Sequence, residues 1–441
     1  MKNDVLEKRA EETAADEKSF LSLFQEELLT AMGCTEPAAV ALAGAAARES
    51  LGAAPDTVLI RASRDIIKNT MNVGIPNTPL KGITAAAALG IAIGNPAGGL
   101  NILSSLGEDR ESAAARLIRS GTIKLELVRD VPPVFIEIRL GKGDKNITAR
   151  IVDKHDRVEI FDTHKEILPD QIKPVDKTGL LTPEKIFAFV NAVKLEKIEF
   201  LIDAAEVNLN LAEHSVTVGY GIKVGKTMLS GGQDEKDLFH LGAGLAAAAS
   251  DARMAGCSKP VIINSGSGNQ GITVSVPVLV LARGLGKSRD ATARALCLSQ
   301  LTALMLTERK DRLSALCGVF TAAVGTGAGF VRILGGNDQA VICCIKNMIG
   351  NLMGMICDGA KGSCALKIYT CVKAAELSAR LAMAGNSIPD SEGILADRLE
   401  DTLSIVEKIS HKGMIPLDET ILEVMIEKGN GPLSMGERPY V

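Results

Sequence analysis

The nine cysteines are the residues of this 441-residue sequence whose types and positions say most about chemistry. Nine is an odd number, and it is too few for a disulfide scaffold in a chain of this length. In a reducing compartment, such cysteines are metal ligands, catalytic groups or plain core residues. Because the thiolate is both the metal ligand and the nucleophile, the local setting of each cysteine decides which role it can take.

Two cysteines frame a segment that favours a loop: Cys357 and Cys364 enclose DGAKGS. On a continuous helix, seven residues would separate them by about 10.5 Å. The two glycines and the aspartate favour instead a loop that folds back and brings the thiols together. Cys317 also precedes a glycine, at the end of the helix-like stretch LSALCG. Three cysteines at loop edges suit an iron–sulfur cubane, although this long spacing is not a ferredoxin pattern.

Cys34 lies between the predicted end of one helix and the start of the next. A thiol at a helix N-terminus is expected to have a lowered pKa, because the helix dipole and free N–H groups favour the thiolate. The neighbouring Glu36 acts in the opposite direction, and a structural cysteine in a turn is the alternative interpretation. Four other cysteines are interpreted as core residues: Cys257, Cys297, Cys343 and Cys344. The role of Cys371 is ambiguous.

A glycine-rich segment, SGSGNQG (265–271), follows a predicted strand over 260–264. Its GxGxxG match would need a following helix to bind a dinucleotide, whereas the next residues, ITVSVPVLV, favour β-structure. We therefore interpret the segment as a polar backbone nest for a small anion such as a carboxylate, or as a simple turn. A second glycine cluster (325–329) indicates helix packing or a turn. The polar side chains of the nest are Ser265, Ser267, Asn269 and Gln270.

Other cofactor chemistry has weaker support in the sequence. Lys68 and Lys361 lie in polar surroundings and are candidate anchors for pyridoxal phosphate, but no phosphate-binding loop accompanies them. The five histidines are scattered without an HExxH or HxH pattern, which argues against a conventional zinc site.

Composition excludes several classes of partner. The formal net charge is −4 and the chain has 10 Phe, 3 Tyr and no Trp, which argues against a nucleic-acid-binding protein. The N-terminus is charged, and the longest apolar runs fall short of the ~20 residues that span a bilayer. We therefore expect a cytoplasmic protein without a membrane partner that acts on a small molecule. Whether it forms a homo-oligomer stays open.

The elements that position these residues fall into two groups. Ala- and Gly-rich patterns over 18–122 and 226–441 predict a helical body that carries the cysteines, including helices over 20–32, 35–48 with Thr35 as the N-cap, and 83–93. A strand is predicted over 57–62, and residues 1–17 are expected to be a flexible leader. Short β-branched runs predict a smaller α+β lobe over 123–225. The expected fold class is α+β, mainly helical. The runs of the predicted antiparallel meander are 123–128, 134–140, 146–152 and 157–161.

Five ordered motifs carry a resemblance to a known family: GCTEPAAVALA (33–43), IKNTMNVGIPNT (67–78), NSGSGNQGITVSVPV (264–278), ALCGVF (315–320) and MICDGAKGSC (355–364). They resemble the L-cysteine desulfidase family, which is related to the alpha chain of iron–sulfur-dependent L-serine dehydratases. The resemblance runs from about residue 20 to the C-terminus. It implies a [4Fe–4S] cluster held by Cys317, Cys357 and Cys364, and a catalytic base at Cys34.

The implied reaction converts L-cysteine and water to pyruvate, ammonia and hydrogen sulfide. Three protein ligands leave one iron open as a Lewis acid for the substrate's sulfur. We expect Lys68, Asn69 and Asn72, with the SGSGNQG nest, to hold the substrate carboxylate. L-serine dehydration by the same mechanism is the near alternative. A non-catalytic cluster protein and a pyridoxal phosphate lyase are the others, and Cys34 could instead be a displaceable cluster ligand.

Overall fold

The structure is a computed structural model that describes residues 2–162, 179–230 and 237–428, with side chains from residue 14 onward. It is mainly helical with two small sheets, which confirms the predicted α+β class. A 3-10 helix spans Pro96–Ser105. The α-helices are α1 Lys2–Glu27, α2 Thr35–Leu51, α3 Arg64–Thr70, α4 Ile83–Ile93, α5 Glu108–Arg119, α6 Pro183–Ala192, α7 Leu195–Ile198, α8 Phe200–Val218, α9 Val224–Ser230, α10 Leu238–Met254, α11 Gly268–Gly284, α12 Arg289–Lys310, α13 Gly318–Ile333, α14 Asp338–Leu352, α15 Ser363–Met383 and α16 Leu399–Glu427. The strands are β1 Thr30–Met32, β2 Thr57–Ser63, β3 Ile123–Val128, β4 Phe135–Lys142, β5 Lys145–Val152, β6 Val158–Phe161 and β7 Pro260–Ile262.

The larger sheet has the strand order β3-β2-β4-β5-β6. All five strands were predicted within a few residues, but the meander is confirmed only for β4, β5 and β6, which pair antiparallel. β2 inserts between β3 and β4 and runs parallel to β3. Sequence patterns give the strands but not this pairing, because β2 comes from outside the residue range predicted for the lobe.

The sheet packs one face against α2, whose alanines let the strands approach closely. Val58, Ile60 and Ala62 alternate toward this buried face along β2, as a half-buried strand requires. In the register of the sheet, Ile60 pairs with Ile138 and Ile138 with Ala149, so apolar side chains line up across three strands.

A buried ion cluster, which we call the Glu137 cluster, lies in the same sheet. Glu137 is fully buried and its carboxylate accepts hydrogen bonds from Arg61 (2.9 Å), Arg139 (2.8 Å) and Arg150 (3.0 Å from Nε). The sequence alone did not reveal this arrangement, since the four residues come from three strands.

Close helix packing organises the body around α10, α11, α12, α13 and α15. The second glycine cluster lies inside α13, which confirms its role in packing. A Cβ at Gly325 would lie 2.3 Å from the carbonyl oxygen of Ser299 on α12, so glycine is required for the helices to approach this closely.

Two local predictions near the site are wrong. Helix α1 ends at Glu27 rather than Met32, and residues 30–32 form β1, which pairs antiparallel with β7. The sequence after SGSGNQG is not β-structure but α11, because burial on all sides accommodates its β-branched residues in a helix. The described β7 pairs only with β1, so the parallel sheet of a dinucleotide-binding unit is not formed there.

The N-terminal segment contacts the middle lobe, and the middle lobe contacts the body. Asp16 pairs with Lys185 on α6 and Glu17 with Lys197 on α7, so the end of the predicted leader is a docked helix. Helices α6 and α8 pack against α12 and α10, and the predicted domain division stays a prediction. In the described chain no single helix has the length and apolarity to cross a membrane; α4 and the 3-10 helix pass that test only as a pair, bent by 111°.

Candidate active site

Four cysteines from separate parts of the chain define the candidate site. Cys34 is the N-cap of α2, Cys317 is the N-cap of α13, and Cys364 lies in the first turn of α15. Cys357 lies in the loop between α14 and α15. The N-cap of α2 was predicted one residue later, at Thr35.

Backbone hydrogen bonds fix two of these cysteines side by side. The Cys317 N–H donates to the carbonyl of Met355 (3.0 Å), and the Cys357 N–H donates to the carbonyl of Ala315 (2.6 Å). Leu316 and Ile356 form an isolated antiparallel bridge between them. The two loops therefore hold Cys317 and Cys357 together although 40 residues separate them in sequence.

The segment between Cys357 and Cys364 folds back as predicted. Gly359 has a φ of 91°, and a Cβ there would lie 2.5 Å from the carbonyl oxygen of Lys68. Only glycine fits this close left-handed turn. The turn brings the Cys364 thiol to 3.9 Å from the carbonyl oxygen of Gly359.

The thiols of this group have opposite protonation preferences. A hydrogen bond from Cys317 lowers the pKa of Cys357 to about 5, and Lys68, the Gly359 N–H and Lys367 act in the same direction against desolvation. The same hydrogen bond, followed by burial, raises the pKa of the Cys317 thiol. Burial also raises the pKa of Cys364. Cys357 is therefore the thiolate of the group at neutral pH.

These cysteines have the donor chemistry of an iron–sulfur site. Three ammonium groups, from Lys68, Lys310 and Lys367, interact electrostatically with Cys357 and compensate negative charge there. Within the described ranges no group of three His, Cys, Asp or Glu side chains could hold a metal ion. The thiolates of a cubane bind separate irons, so they are spread more widely than the ligands of one ion.

Cys34 belongs to a small apolar cluster with Cys364, Val73 and Met254. Its thiol donates a hydrogen bond to Glu36 Oε2 (3.4 Å) and accepts one from Arg253 Nη2 (3.6 Å). Burial, and then Glu36, raises the pKa of Cys34, while Arg253 opposes the rise. The predicted lowering of this pKa is therefore wrong, because complete burial outweighs the helix N-terminus.

Sequence reasoning missed Arg253 and gave Glu36 only a minor role. Arg253 is 3 % exposed and its Nε has no hydrogen-bond partner. A Cβ at Gly268 would lie 2.2 Å from that Nε, so the first residue of α11 leaves room for the guanidinium. Burial raises the pKa of Glu36. The available signal was a single arginine in the alanine-rich run of α10.

The SGSGNQG nest is the start of α11. Ser267 caps the helix by accepting from the Gln270 N–H (3.4 Å), and Ser265 donates to Asn264 (2.9 Å). Asn269 Nδ2 contacts Met254 Sδ (3.8 Å), while its buried Oδ1 has no partner. Ser265 and Ser267 therefore have structural hydrogen bonds, and Asn269 has an unpartnered oxygen near the Cys34 cluster.

Gln270 lies beneath the first turn of α13. Its Oε1 accepts hydrogen bonds from the hydroxyls of Thr307 (3.0 Å) and Thr321 (3.1 Å). A Cβ at Gly318 would lie 2.9 Å from Gln270 Nε2, so this carboxamide packs directly behind Cys317. Gln270 thus supports the loop that carries the cysteine.

The three predicted binding residues from α3 and its end are placed differently from one another. Lys68 is buried. Its Nζ lies 3.1 Å from an Asp65 carboxylate oxygen and also forms an ion pair with Asp418 of α16. These carboxylates and Cys357 raise the pKa of Lys68 despite its desolvation. Asn69 is also buried, whereas Asn72 is exposed. Lys68 already has two carboxylate partners, and Lys361 pairs with Asp358, which leaves neither lysine as a free amine.

Two cavities lie near these residues. The smaller, about 390 Å³, is lined by Asn72, Asp358, Lys361, Thr420, Ile421, Val424, Met425 and Lys428. The larger, about 880 Å³, lies between α1, the 130–134 loop and the end of α12, and touches the nest only through Ser265. Its rim is crowded with carboxylates, including Glu26, Glu27 and Asp153.

The chain thus has a group of thiols on a mainly helical α+β fold. The sequence profile of the serine dehydratase alpha chain matches residues 98–423, and the chain belongs to this family. The match contains the nest, Cys317, Cys357 and Cys364, while Cys34 lies outside it. Membership implies a lyase-type enzyme and does not single out the cysteine desulfidases.

Full-length relatives carry the name UPF0597 protein. One from Oleidesulfovibrio alaskensis is 37 % identical over 423 residues, which cover 93 % of this chain and 98 % of the relative. One from Bacteroides fragilis is 38 % identical over 95 % of this chain and 100 % of the relative. One from Aeromonas salmonicida is 38 % identical over 93 % of this chain and 97 % of the relative.

Proposed function

We propose that this protein is a [4Fe–4S]-dependent lyase that eliminates sulfide from L-cysteine and yields pyruvate, ammonia and hydrogen sulfide. One observation carries the proposal: the paired thiols of Cys317 and Cys357, with Cys364, lie beside a second, separate thiol at Cys34. The first three have the donor chemistry of a cluster, and the fourth has acid–base partners of its own.

In this proposal Cys317, Cys357 and Cys364 hold the cluster. When bound, a cluster with three protein ligands supplies a Lewis-acidic iron for the leaving sulfur. The chain's own contribution there is charge compensation, because Lys68, Lys310 and Lys367 offset the negative charge of the thiolates.

Arg253 and the start of α11 are the proposed binding site for the substrate carboxylate. The Arg253 Nε–H has no partner in the protein, and a helix N-terminus offers backbone N–H groups to an anion. Asn269 Oδ1, also without a partner, is placed to accept a hydrogen bond from the substrate ammonium. Both groups belong to residues that contact Cys34 or its neighbour Met254, so a substrate held there would place its Cα close to the thiol.

Cys34 Sγ is the proposed base, with Glu36 as its proton acceptor. The Cys34 proton moves along its hydrogen bond to Glu36 Oε2, and the Arg253 guanidinium stabilises the thiolate that forms. Sγ then removes the Cα proton of the substrate. Departure of sulfide gives aminoacrylate, which tautomerises and hydrolyses in water to pyruvate and ammonia. No step changes an oxidation state overall.

L-serine is the second candidate substrate, and the match to the serine dehydratase alpha chain favours it. The same residues would act, with a hydroxyl leaving in place of the thiol. Anaerobic purification with iron and sulfide analysis, followed by rates of sulfide release from L-cysteine and pyruvate formation from L-serine, tests both. About four irons per chain and a higher kcat/KM for L-cysteine are expected. A higher kcat/KM for L-serine would reverse the assignment, and a full cluster without turnover would indicate a non-catalytic protein.

A further inference from the structure

Three of the four thiols of the candidate site have little contact with solvent, and Cys357 is half-buried. Cys34 is 2 % exposed, Cys317 5 % and Cys364 9 %. An amino acid that reacts at these groups must therefore pass through the protein surface at a defined place.

The smaller cavity lies directly outside the site. Its wall on the body side is formed by Asn72, Asp358 and Lys361. Each is adjacent in sequence to a residue of the thiol site: Val73 and Ala360 pack around Cys34 and Cys364, and Cys357 is one of the paired thiols. The body-side wall of the cavity is thus formed by sequence neighbours of residues that belong to the thiol site.

The opposite wall is formed by the last turns of α16. Ile421, Val424 and Met425 give it an apolar surface. Asp418, one to two turns earlier on the same helix, forms the buried ion pair with Lys68 beneath the Cys357 loop. The helix that forms the outer wall is therefore fixed to the site itself.

We propose that the cavity between α16 and the Asn72–Asp358–Lys361 wall is the passage through which the amino-acid substrate reaches Cys34. Ile421, Val424 and Met425 limit the size of the side chain that passes. The inference rests on the proposed function, since it takes a small amino acid as the ligand.

The charged residues that line the smaller cavity suit the carboxylate of an amino acid. Lys361 and Lys428 lie on opposite sides of the cavity, and its one acidic residue, Asp358, forms ion pairs with Lys361 and Lys367. Cationic groups at an opening attract a carboxylate. The larger cavity has the opposite charge, because acidic residues outnumber basic ones in its lining. Thr307 lines this cavity, and the Gln270 side chain lies between Thr307 and the loop that carries Cys317.

Alkylation of the metal-free protein tests the passage without any need for turnover. Val424→Trp fills the cavity from a position that is 41 % exposed, so the fold tolerates the change. We expect a bulky maleimide to label Cys34 and Cys357 about tenfold more slowly in this variant than in the parent, with Cys343 as the internal reference. Val424→Ala should label faster than the parent.

Two control variants complete the design. Glu423→Trp places the same side chain on the exposed neighbouring position of α16, and Leu23→Trp fills the larger cavity. Both should label at the parent rate. Unchanged labelling in Val424→Trp, or slower labelling in Leu23→Trp, would overturn the proposal.

Kinetics on the holoenzyme separate this inference from the proposed function. Val424→Trp should lower kcat/KM for L-cysteine about tenfold with iron content unchanged, and Glu423→Trp should not. If the parent itself turns over neither amino acid, the proposed function fails, while the labelling rates still decide whether the cavity leads to the thiols. Normal kcat/KM in Val424→Trp would exclude the cavity as the passage.

Discussion

The Glu137 cluster and the thiol site both bury charge, but they differ in how completely the charged groups are paired. Hydrogen bonds from Arg150 and Arg61 hold the pKa of Glu137 below its usual value although burial acts against them. Every carboxylate oxygen of Glu137 has an arginine partner. In the thiol site, Arg253 Nε and Asn269 Oδ1 are buried without a partner.

Together with the position of the unpartnered groups beside Cys34, this difference is consistent with a structural role for the first region and ligand binding in the second. Buried polar groups normally have partners, because an unpaired one costs about 1–3 kcal/mol. The Glu137 cluster meets this requirement within the protein, since none of its buried side-chain polar atoms in the described structure lacks a partner. In the proposed function, the substrate supplies the partner that Arg253 Nε and Asn269 Oδ1 lack. We therefore expect substitutions in the two regions to change different measurements.

The largest expected effect follows from removing a proposed cluster ligand. Cys317→Ala, Cys357→Ala and Cys364→Ala should each lose iron and all activity, since three thiolates are needed to retain the cluster. Iron analysis of anaerobically purified protein measures this, with Cys343→Ala as the matched control on α14. A full complement of iron in any of the three variants would remove that residue from the ligand set, and Cys371 would replace it.

Cys34→Ala is expected to reduce turnover by about 10²–10⁴-fold while iron content stays at the parent level, because general-base catalysis contributes that much. Cys34→Ser should be nearly as slow, since a hydroxyl is too weak a base. Steady-state rates and exchange of the substrate Cα hydrogen with solvent measure the loss. A changed cluster spectrum without substrate would instead make Cys34 a displaceable ligand, and near-parent turnover would make it structural.

Glu137→Gln should destabilise the fold by about 3–5 kcal/mol, because it leaves the buried Arg150 and the partly buried Arg61 and Arg139 without their carboxylate. Urea unfolding measures the free energy, and folded protein should retain its kcat per bound cluster. Glu126→Gln is the control: its side chain is 52 % exposed and also pairs with Arg61, so it should cost less than about 1 kcal/mol. Equal losses for the two variants would contradict the assigned role of burial.

His155 is expected to make a smaller contribution to the stability of the fold, and this contribution depends on pH. It is buried with both ring nitrogens unpartnered, and burial followed by Arg312 lowers its pKa to about 3. As pH falls below 6.5 the unfolded chain gains a proton that the folded protein does not, so stability decreases on acidification. Between pH 7 and 5 this residue should account for about 2 kcal/mol.

His155→Leu should remove this contribution, so its free energy of unfolding should fall less between pH 7 and 5 than that of the parent. Urea titrations at the two pH values measure the difference. The same pH dependence in both proteins would show that His155 is accessible to protons in the folded state.

Features set by local sequence were predictable, and features set by burial were not. The turn between Cys357 and Cys364 follows from its glycines, and the N-terminal position of Cys34 follows from the helix boundary. The raised pKa of Cys34 depends on the surrounding core, which no local pattern reports. The roles of Arg253 and Lys68 depend on partners from α2 and α16, and α11 was misread because its β-branched composition is overridden by tertiary packing.

The pairing of Cys34 with Cys364 also has a consequence for how the protein folds. The two residues pack together although 364 − 34 = 330 positions separate them in the chain. Contacts of such long range form late, because closing the intervening loop is entropically unfavourable until other structure exists. The thiols are therefore open to solvent during much of folding, when oxidation competes with correct assembly. Recovery of native protein on refolding should depend on a reductant well before any cluster is supplied.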